Sequence, residues 1–439
     1  MQNIYPQTAS LDQRAVAEFG LSETLMMEHA AIGMERIIRE RFPRDSVVLI
    51  VCGHGNNGAD GRILARLLEG DYSVCMKHNI HQHYDVIVDA LLGSGLNRPL
   101  DSLTQDLLRS LNAADAFKIA CDVPTGLYAN GSLDPYTFKA DITVTMGALK
   151  RSMFSDTAKD VIGEIMVADL GISRIRYEIS TSWQLLDAPD LQLPLRTHLS
   201  THKGSYGHLS LICGEKIGAS VIAGSAALRF GAGLVSLITC ENIVIPHELM
   251  QSHSLPSTTT AIALGMGLGC EFCDQELTKL LNNTHPLVLD ADIFYHTMFP
   301  NLLQRNDIVL TPHPKEFTQI LRLSGIADID VNTLQNDRFT YVERFCSAFP
   351  NVVLVLKGAN VIIGHNDQFF INPHGTVALA KGGSGDVLSG LIGALLAQGY
   401  TPLEASIHAS LAHTLGAKKF DKNNYALTPL DLIESITTL

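Results

Sequence analysis

Short runs of β-branched residues alternate with helical patterns along the whole of this 439-residue chain. Runs of this kind are typical of strands in parallel sheets that helices cover on both faces. The alternation therefore predicts an α/β fold. The predicted strands are residues 46–52, 85–91, 118–123 and 141–146 in the first half and 208–213, 233–239, 261–265, 286–290, 307–311 and 351–356 in the second, with an edge hairpin at 360–373.

The length of the chain predicts more than one domain, because a single hydrophobic core rarely serves so many residues. Residues 174–202 contain three arginines, two prolines and no clear hydrophobic period. We place the junction there, near residues 180–200. The predicted domains are residues 1–190 and residues 195–439.

The net charge of −13 argues against a nucleic-acid partner or an anionic membrane surface. The opening 13 residues lack a basic segment followed by an apolar core, so we expect no signal peptide. No apolar run approaches the roughly 20 residues that a membrane span needs. These features predict a cytoplasmic protein with no membrane partner.

The cysteines and histidines give weak metal signals. Among eight cysteines only Cys270 and Cys273 form a CxxC pair, and no second pair completes a zinc site, so we expect reduced thiols. His78, His81 and His83 cluster in a polar stretch. A solvated loop is the favoured interpretation of that cluster, with a metal site as the alternative.

Polar and glycine residues follow the predicted strands in both halves. Open α/β sheets bind ligands at the carboxyl ends of their strands, so seven such segments predict two ligand clefts. The segments are residues 53–61, 93–99 and 122–126 in the first half and residues 265–269, 290–292, 311–316 and 357–360 in the second.

The first cleft contains "GHGNNG" (53–58), which fits the G-x-G-x-x-G pattern of dinucleotide-binding turns. The next strand-like stretch ends in Lys77 and His78 instead of the acid that binds a ribose, which argues against a dehydrogenase. Asp122 ends a buried-looking strand, where desolvation is expected to raise its pKa towards the range useful for proton transfer.

Three further oxygen-bearing side chains stand at strand ends of the first half: Asn57, Asp89 and Thr125. Oxygen ligands without Cys or His suit an alkali or alkaline-earth cation better than zinc. A polar network that ties the loops together explains the same residues equally well.

In the second half, "KGGSGDVLSG" (381–390) joins a glycine-rich turn to an apolar helical run. Backbone N–H groups of such a turn at a helix N-terminus form an anion site. Asp386 at the join is then a base or a metal ligand beside a bound phosphate. The alternative is an ordinary first-turn acid that stabilises the helix.

Taken together, "LMMEHAA", "NNGADG", "VDALLGSGL", "DVPTGL", "ADITVTMGALK" and "VADLGIS" resemble the NAD(P)H-hydrate epimerase domain of YjeF-like repair proteins, from about Leu11 to residue 173. The resemblance implies a Rossmann-like doubly wound sheet, a catalytic Asp122 and a potassium ion held by Asn57, Asp89 and Thr125. The family usually has Gly at the position of Ala59 and Ser at that of Thr125. The implied hydrate-binding residues are Asn56, Asn57, Gly58, Ala59, Asp60, Gly93, Ser94, Gly95, Leu96, Asn97, Arg98, Pro99 and Asp122.

From His202 to the C-terminus, "HKGSYGHLSLICG", "GMGLG", "DAD", "TPHPKEF", "LKGANVII" and "GGSGDVLSG" occur in the order of the ADP-dependent NAD(P)H-hydrate dehydratase half of the same proteins. The resemblance implies a ribokinase-like α/β domain that binds ADP, or ATP, with Mg²⁺. Asp386 is the implied base, and a homo-oligomer is expected. The implied hydrate contacts are Ala219, Gly267, His313 and Asp386, and the implied nucleotide contacts are Lys357, Gly358, Ala359, Asn360, Val361, Gly383, Ser384 and Gly385.

The resemblance as a whole implies a metabolite-repair enzyme. It would epimerise the R and S hydrates NADHX and NADPHX and dehydrate the S form at the expense of a nucleotide. One alternative is a small-molecule kinase of the hydroxymethylpyrimidine or hydroxyethylthiazole type. In another, the first half is a non-catalytic ligand-binding module. Taken singly, His313 is better explained as a loop histidine, and a simple strand-end charge is the alternative for Lys357.

Overall fold

The computed structural model describes residues 1–79, 82–269 and 271–439. The chain divides into two compact units. The N-terminal unit comprises Asn3–Trp183 and Gln335–Arg338, and the C-terminal unit comprises Met1–Gln2, Gln184–Leu334 and Phe339–Leu439. Among the described residues, no helix is both long enough and apolar enough to cross a membrane.

The N-terminal unit is built around a parallel sheet with the strand order β3-β2-β4-β5-β6-β8 within the described residues. Its central strands are apolar on both faces because helices cover both sides. The elements up to the unit boundary are β1 (Gln2–Tyr5), α1 (Ala9–Phe19), α2 (Glu23–Arg41), β2 (Val47–Cys52), α3 (Asn56–Leu68), β3 (Ser73–Cys75), β4 (Val86–Ala90), α4 (Ser102–Ala113), β5 (Phe117–Cys121), β6 (Ile142–Met146), β7 (Leu149–Lys150), β8 (Glu164–Ala168), α5 (Arg174–Tyr177) and β9 (Trp183–Leu185).

The strand order of this sheet reverses at β2. The chain leaves β2 through α3 to β3 on one side and returns to β4 on the other side. The segments that follow β2 and β4 therefore diverge and leave a crevice at the carboxyl ends of the two strands. The expected doubly wound, Rossmann-like sheet is confirmed.

The C-terminal unit contains a larger, mixed sheet. Strands β12-β11-β10-β13-β14-β15-β16 are parallel neighbours, and β17 and β18 continue the sheet as an antiparallel hairpin. The elements are β10 (His208–Ile212), α6 (Ile217–Arg229), β11 (Leu234–Ile238), β12 (Met250–Ser252), β13 (Ala261–Leu264), α7 (Asp274–Leu281), β14 (Leu287–Leu289), α8 (Phe299–Leu302), β15 (Ile308–Leu310), α9 (Pro314–Leu323), α10 (Val331–Asn336), α11 (Arg338–Ala348), β16 (Val352–Leu356), β17 (Val361–His365), β18 (Gln368–Asn372), α12 (Ser384–Ala397), α13 (Pro402–Lys419) and α14 (Pro429–Ile436).

Helix α12 lies at the centre of this unit. Its residues from Val387 to Ala397 are all buried, as expected of a helix that is apolar on every side. It packs against α6, α13 and the sheet. The core therefore holds α12 firmly and presents its N-terminal turn at the carboxyl ends of the strands. This mixed sheet with its covering helices is the ribokinase-like α/β domain that was expected.

The predicted strands and the hairpin at 360–373 are present, with ends that differ by one or two residues. Prediction missed β1, β7, β8, β9 and β12, which are short or only partly buried. The seven described cysteines are free thiols. Cys270 and His81 lie outside the described residues, so the CxxC pair and the full histidine cluster stay predictions.

Candidate active sites

The N-terminal unit has a pocket of about 900 Å³ in the crevice between β2 and β4. Of the predicted hydrate-binding residues, the segment 93–99, Asn56, Asn57 and Asp122 line it, whereas Gly58, Ala59 and Asp60 do not. The lining residues are Thr8, Asp12, Cys52, Gly53, His54, Gly55, Asn56, Asn57, Leu91, Leu92, Gly93, Ser94, Gly95, Leu96, Asn97, Arg98, Pro99, Leu100, Asp101, Thr104, Asp122 and Met146.

Two glycines allow the backbone segments around this pocket to touch. A Cβ on Gly58 would lie 1.9 Å from the Gly53 carbonyl oxygen, and a Cβ on Gly53 would lie 2.0 Å from the Leu91 carbonyl oxygen. Only residues without a side chain fit such close approaches. The pocket floor therefore depends on these glycines for its shape.

Residues Asn56–Asp60, which belong to the glycine-containing segment 53–61 after β2, form the first turns of α3. The Ala59 N–H donates to the Gly55 carbonyl at 3.1 Å, so this residue is helical. Alanine is the best helix former, and its methyl group suits this position.

Asp122 is the buried carboxylate at the pocket wall, and Lys150 is its partner. The Lys150 Nζ lies 2.6 Å from Asp122 Oδ1, and the lysine side chain is only 2% exposed. Burial acts to raise the pKa of Asp122, but the charge and hydrogen bond of Lys150 outweigh it and lower the pKa below its usual range. The expectation of a raised pKa was wrong, because the lysine that reverses it comes 28 residues later, in β7.

Two more acids surround Asp122. Burial, and then the charges of Asp122 and Asp12, raise the pKa of Asp60 to about 7, and its Oδ1 has no hydrogen-bond partner among the described residues. Asp12 lines the pocket and accepts a hydrogen bond from the Tyr177 hydroxyl at 2.7 Å. Sequence reasoning gave no role to Lys150 or Asp12. A charged residue in the apolar run "TVTMGALK" was the available signal for Lys150.

The three predicted cation ligands lie around the same strand ends. Asp89 is fully buried and accepts hydrogen bonds from the Thr125 hydroxyl at 2.7 Å and the Thr125 N–H at 2.8 Å. Asn57 donates to the Cys121 carbonyl, and its Oδ1 would lie 3.1 Å from a Cβ on Gly93. Burial raises the pKa of Asp89 to about 6. Asp89 and Thr125 thus form the expected polar network, while the oxygen-rich, buried anionic site also suits a monovalent cation.

In the C-terminal unit, charged side chains from successive strand ends meet near α12. Lys357, after β16, places its Nζ 2.8 Å from Asp290 Oδ1 and 3.9 Å from Glu316 Oε2. Burial acts to lower the pKa of Lys357, but these two carboxylates outweigh it and raise the pKa. Ser389 of α12 donates to the other oxygen of Asp290 at 2.8 Å. Lys357 is therefore part of a buried charge cluster, and sequence reasoning did not identify Asp290 as its partner.

Asp386 lies in the first turn of α12, beside this cluster. Gly383, the N-cap, has a φ of +88°, which favours glycine. A Cβ on Gly385 would lie 3.3 Å from Lys357 Nζ, so the glycine turn faces the lysine. Burial, and then the charge of Asp290, raise the pKa of Asp386 to about 6. Asp386 thus occupies the first helical turn, as the alternative of an ordinary helix-stabilising acid requires. A raised pKa in a charged cleft is also typical of a functional carboxyl group.

His313 is the N-cap of α9 and is more than a loop histidine. Its Nδ1 accepts from the Glu316 N–H, and Glu316 accepts in turn from the His313 N–H at 2.8 Å. Burial, and then the charge of Lys357, lower the pKa of His313. Burial raises the pKa of Glu316 to about 7. The histidine ring is thereby held next to the charge cluster.

The remaining predicted contacts come from α6, from the loops after β13 and β16, and from the start of α12. Gly267, with a φ of +67°, has no room for a Cβ, which would lie 2.7 Å from the Lys216 carbonyl oxygen and 3.2 Å from the Ala219 methyl group. The segment 357–361 makes the turn from β16 into β17, with Asn360 buried and Ala359 exposed. Ser384 contacts His413 of α13. Sequence reasoning did not single out His413.

Comparison with known proteins covers both units. A family model described as NAD(P)H-hydrate dehydratase matches residues 209–438, and one described as YjeF-related protein N-terminus matches residues 23–76 and 71–152. A Bacillus subtilis ADP/ATP-dependent NAD(P)H-hydrate dehydratase structure, co-crystallized with ATP/Mg2+, is 29% identical, with a TM-score of 0.47, and covers 55% of this chain and 92% of that one.

Full-length relatives carry both parts in one chain. The bifunctional NAD(P)H-hydrate repair enzyme Nnr of Helicobacter pylori is 41% identical, with 100% of each chain covered. The enzymes of the same name from Coxiella burnetii and Escherichia coli are each 32% identical, covering 93% and 92% of this chain and 92% and 87% of their own. The chain therefore belongs to the bifunctional NAD(P)H-hydrate repair enzymes, which combine an NAD(P)H-hydrate epimerase with a nucleotide-dependent NAD(P)H-hydrate dehydratase.

Proposed function

We propose that residues 1–190 epimerise the R and S hydrates NADHX and NADPHX, and that residues 195–439 dehydrate the S form with ADP or ATP. In this proposal Mg²⁺ enters the site bound to the nucleotide. The observation that carries the proposal is the meeting of Asp386, the glycine turn and the Lys357–Asp290 pair at the carboxyl ends of one sheet. Because the chain belongs to the NAD(P)H-hydrate repair enzymes, we set aside the alternative of a small-molecule kinase.

The dehydratase step begins with Asp386 as base. Asp386 removes the proton from the C6 hydroxyl of the hydrate, and the freed oxygen attacks the terminal phosphoryl group of the nucleotide. ADP thereby leaves as AMP, or ATP as ADP. A pKa of about 6 leaves Asp386 ionised at neutral pH but more basic than an ordinary carboxylate. The base is thus ready without an additional activating group.

The glycine turn and Lys357 stabilise the charge of the transferring group. The N–H groups of Gly383 and Gly385 lie at a helix N-terminus, where they have no intrahelical partner, and in this proposal they bind phosphoryl oxygens. The Ser384 N–H between them donates to the Lys381 carbonyl at 3.3 Å. The ring-nitrogen lone pair then expels phosphate from C6, and loss of a proton from C5 restores the dihydronicotinamide. Ala219, Gly267 and His313 border the space where the hydrate ring would lie.

The epimerase site uses the Asp122–Lys150 pair. Inverting a carbon that bears a hydroxyl beside a ring nitrogen requires one proton to be removed and another supplied while a bond to that carbon opens and re-forms. Asp122 lines the pocket and is held ionised by Lys150, so it is the group that accepts the hydroxyl proton. Lys150 fixes the carboxylate and stabilises its charge. The segment 93–99, Asn56 and Asn57 enclose the hydrate, and Gly58, Ala59 and Asp60 support them from α3.

A potassium ion fits the polar site of Asn57, Asp89 and Thr125. The hydrogen bonds to Asp89 come from the neutral groups of Thr125 and Leu91, so its buried charge lacks a compensating side-chain cation in these contacts. A monovalent cation bound there would supply that charge and hold the pocket segments together. The epimerisation rate of the parent should then rise with the K⁺ concentration. In Asp89→Asn that rate should no longer respond to K⁺, while dehydration continues.

A pair of single variants in the full chain tests the assignment of the two sites. Asp386→Asn should stop nucleotide-dependent dehydration and leave epimerisation intact, and Asp122→Asn should do the reverse. A variant that loses both activities or neither would contradict the assignment. The homo-oligomer and the cytoplasmic location stay predictions; the mass measured by light scattering tests the first.

A further inference from the structure

His413 lies on α13 and contacts the first residue of α12. Its Nε2 is 2.9 Å from the Ser384 carbonyl oxygen and 3.1 Å from the Ser384 hydroxyl oxygen. A carbonyl oxygen only accepts hydrogen bonds, so Nε2 carries the proton and donates it. Burial lowers the pKa of His413 to about 4. The ring is therefore a neutral donor with a fixed tautomer.

The peptide that His413 contacts joins Ser384 to Gly385. In a planar trans peptide the C=O and the N–H point in opposite directions, so fixing one fixes the other. Gly385 forms one end of this peptide and Gly383 precedes Ser384, and glycines give the backbone its greatest freedom. The N–H of Gly385 belongs to the unpartnered N-terminal turn of the helix. A Cβ on Gly385 would lie 3.3 Å from Lys357 Nζ, which places this residue at the charge cluster.

We propose that His413 is a positioning residue of the dehydratase. By donating from Nε2 to the Ser384 carbonyl, it fixes the peptide whose N–H receives the transferring phosphoryl group. His413 acts through this peptide and does not itself enter the reaction. The proposal rests on the role given above to the N–H groups of Gly383 and Gly385.

Two substitutions of His413 place an amide N–H at different distances from the main chain. His413→Gln places an amide N–H at about the distance of Nε2 from the main chain, whereas His413→Asn places it one methylene shorter, near the position of Nδ1. His408 offers a matched control, because it lies on the same helix and is 7% exposed, as is His413. Its Nδ1 accepts from the Gln192 N–H at 3.2 Å, so it contacts a different segment. His408→Asn therefore removes a buried histidine without altering the Ser384 contact.

The experiment uses the full-length chain, the S hydrate of NADH and either ADP or ATP. We expect His413→Asn to lower kcat/KM for the nucleotide by about 10- to 100-fold, since a misplaced anion-binding N–H weakens transition-state stabilisation. The KM for the hydrate should change by less than about threefold, because no hydrate contact is removed. His413→Gln should stay within about fivefold of the parent, and His408→Asn within about twofold.

Melting temperature and epimerase rate are measured on every variant as checks of folding. A His413→Asn protein with parental dehydratase activity would overturn the proposal, and so would a His413→Gln protein that is as impaired as His413→Asn. Should His413→Asn unfold, His413→Gln decides alone: a loss beyond about fivefold at the parental melting temperature overturns the proposal. A parent without nucleotide-dependent activity would instead refute the dehydratase assignment itself.

Discussion

Replacing Lys150 with methionine tests the ion pair at the wall of the N-terminal pocket. Methionine keeps a flexible side chain but deletes the ammonium that lies 2.6 Å from Asp122 Oδ1. Removing one partner of a buried ion pair typically costs about 3–5 kcal/mol. The Asp122 side chain is 12% exposed and keeps long hydrogen bonds from the Ser94 and Met146 N–H groups, at 3.3 and 3.4 Å. We therefore expect Lys150→Met to lower the free energy of unfolding by about 3 kcal/mol at pH 8, near the lower limit of this range.

This loss of unfolding free energy should be larger at pH 8 than at pH 5. In the parent, Lys150 holds the pKa of Asp122 low, so the pair stabilises the folded unit above the unfolded pKa of Asp, and this stability is lost as pH falls through the folded pKa. In Lys150→Met the charge and the hydrogen bond of the lysine are absent, so burial becomes the main influence on the pKa of Asp122 and raises it. The variant should therefore be least stable, relative to the parent, at pH 8 and recover as the pH approaches 5.

Urea unfolding followed by tryptophan fluorescence measures this loss. Trp183 is the single tryptophan of the chain, is 1% exposed and belongs to the N-terminal unit, so its emission reports on that unit. Lys118→Met is the matched control, because Lys118 Nζ donates to the carbonyls of Ala114 and Ala116. The control should lose about 1 kcal/mol with little dependence on pH. Equal losses for Lys150→Met at pH 5 and pH 8, or none at either pH, would refute the reasoning.

Three further predictions concern single groups. Asp386→Asn should slow dehydration by at least about 100-fold, while calorimetry finds the nucleotide Kd within about threefold of the parent; a parental rate would exclude Asp386 as the base. In the parent, kcat/KM for dehydration should fall as the pH drops below about 6, because protonation removes the base; a profile that stays flat to pH 5 contradicts this. Gly58→Ala, whose Cβ would lie 1.9 Å from the Gly53 carbonyl oxygen, should lower both melting temperature and epimerisation. In Gly55→Ala the new Cβ has open space but replaces the N-cap glycine of α3, so the melting temperature should fall much less than in Gly58→Ala.

The sequence was a good guide to the central strands, for a physical reason. Segments such as "VVLIVC" and "VVLVL" are apolar on both faces and have a neighbouring strand on each side in their sheets, so their composition alone identifies them. Strands such as Glu164–Ala168 and Met250–Ser252 are at sheet edges and only partly buried, and their residues carry no such signal. Their presence depends on pairing with β6 and with β11, respectively, which their composition does not indicate.

The same limit applies to the sites. Polar residues after strands correctly indicated the crevice between β2 and β4, because the carboxyl ends of parallel strands share one edge. The pairings of Asp122 with Lys150 and of Asp290 with Lys357 depend on strand order, which the sequence does not state. For that reason the direction of the pKa shift of Asp122 was predicted wrongly. The sequence did not show that the segment 53–61 includes the first turns of α3, because asparagine and glycine residues are also common in turns.

The most direct test of the two proposed activities is the recovery of dihydronicotinamide absorbance from a mixture of R and S NADHX. The full-length chain is given ADP, then ATP, then neither, and spontaneous epimerisation is subtracted. We predict nucleotide-dependent recovery of the entire mixture. Recovery limited to the S fraction would contradict the epimerase assignment of residues 1–190, and absence of recovery with either nucleotide would contradict the dehydratase mechanism based on Asp386.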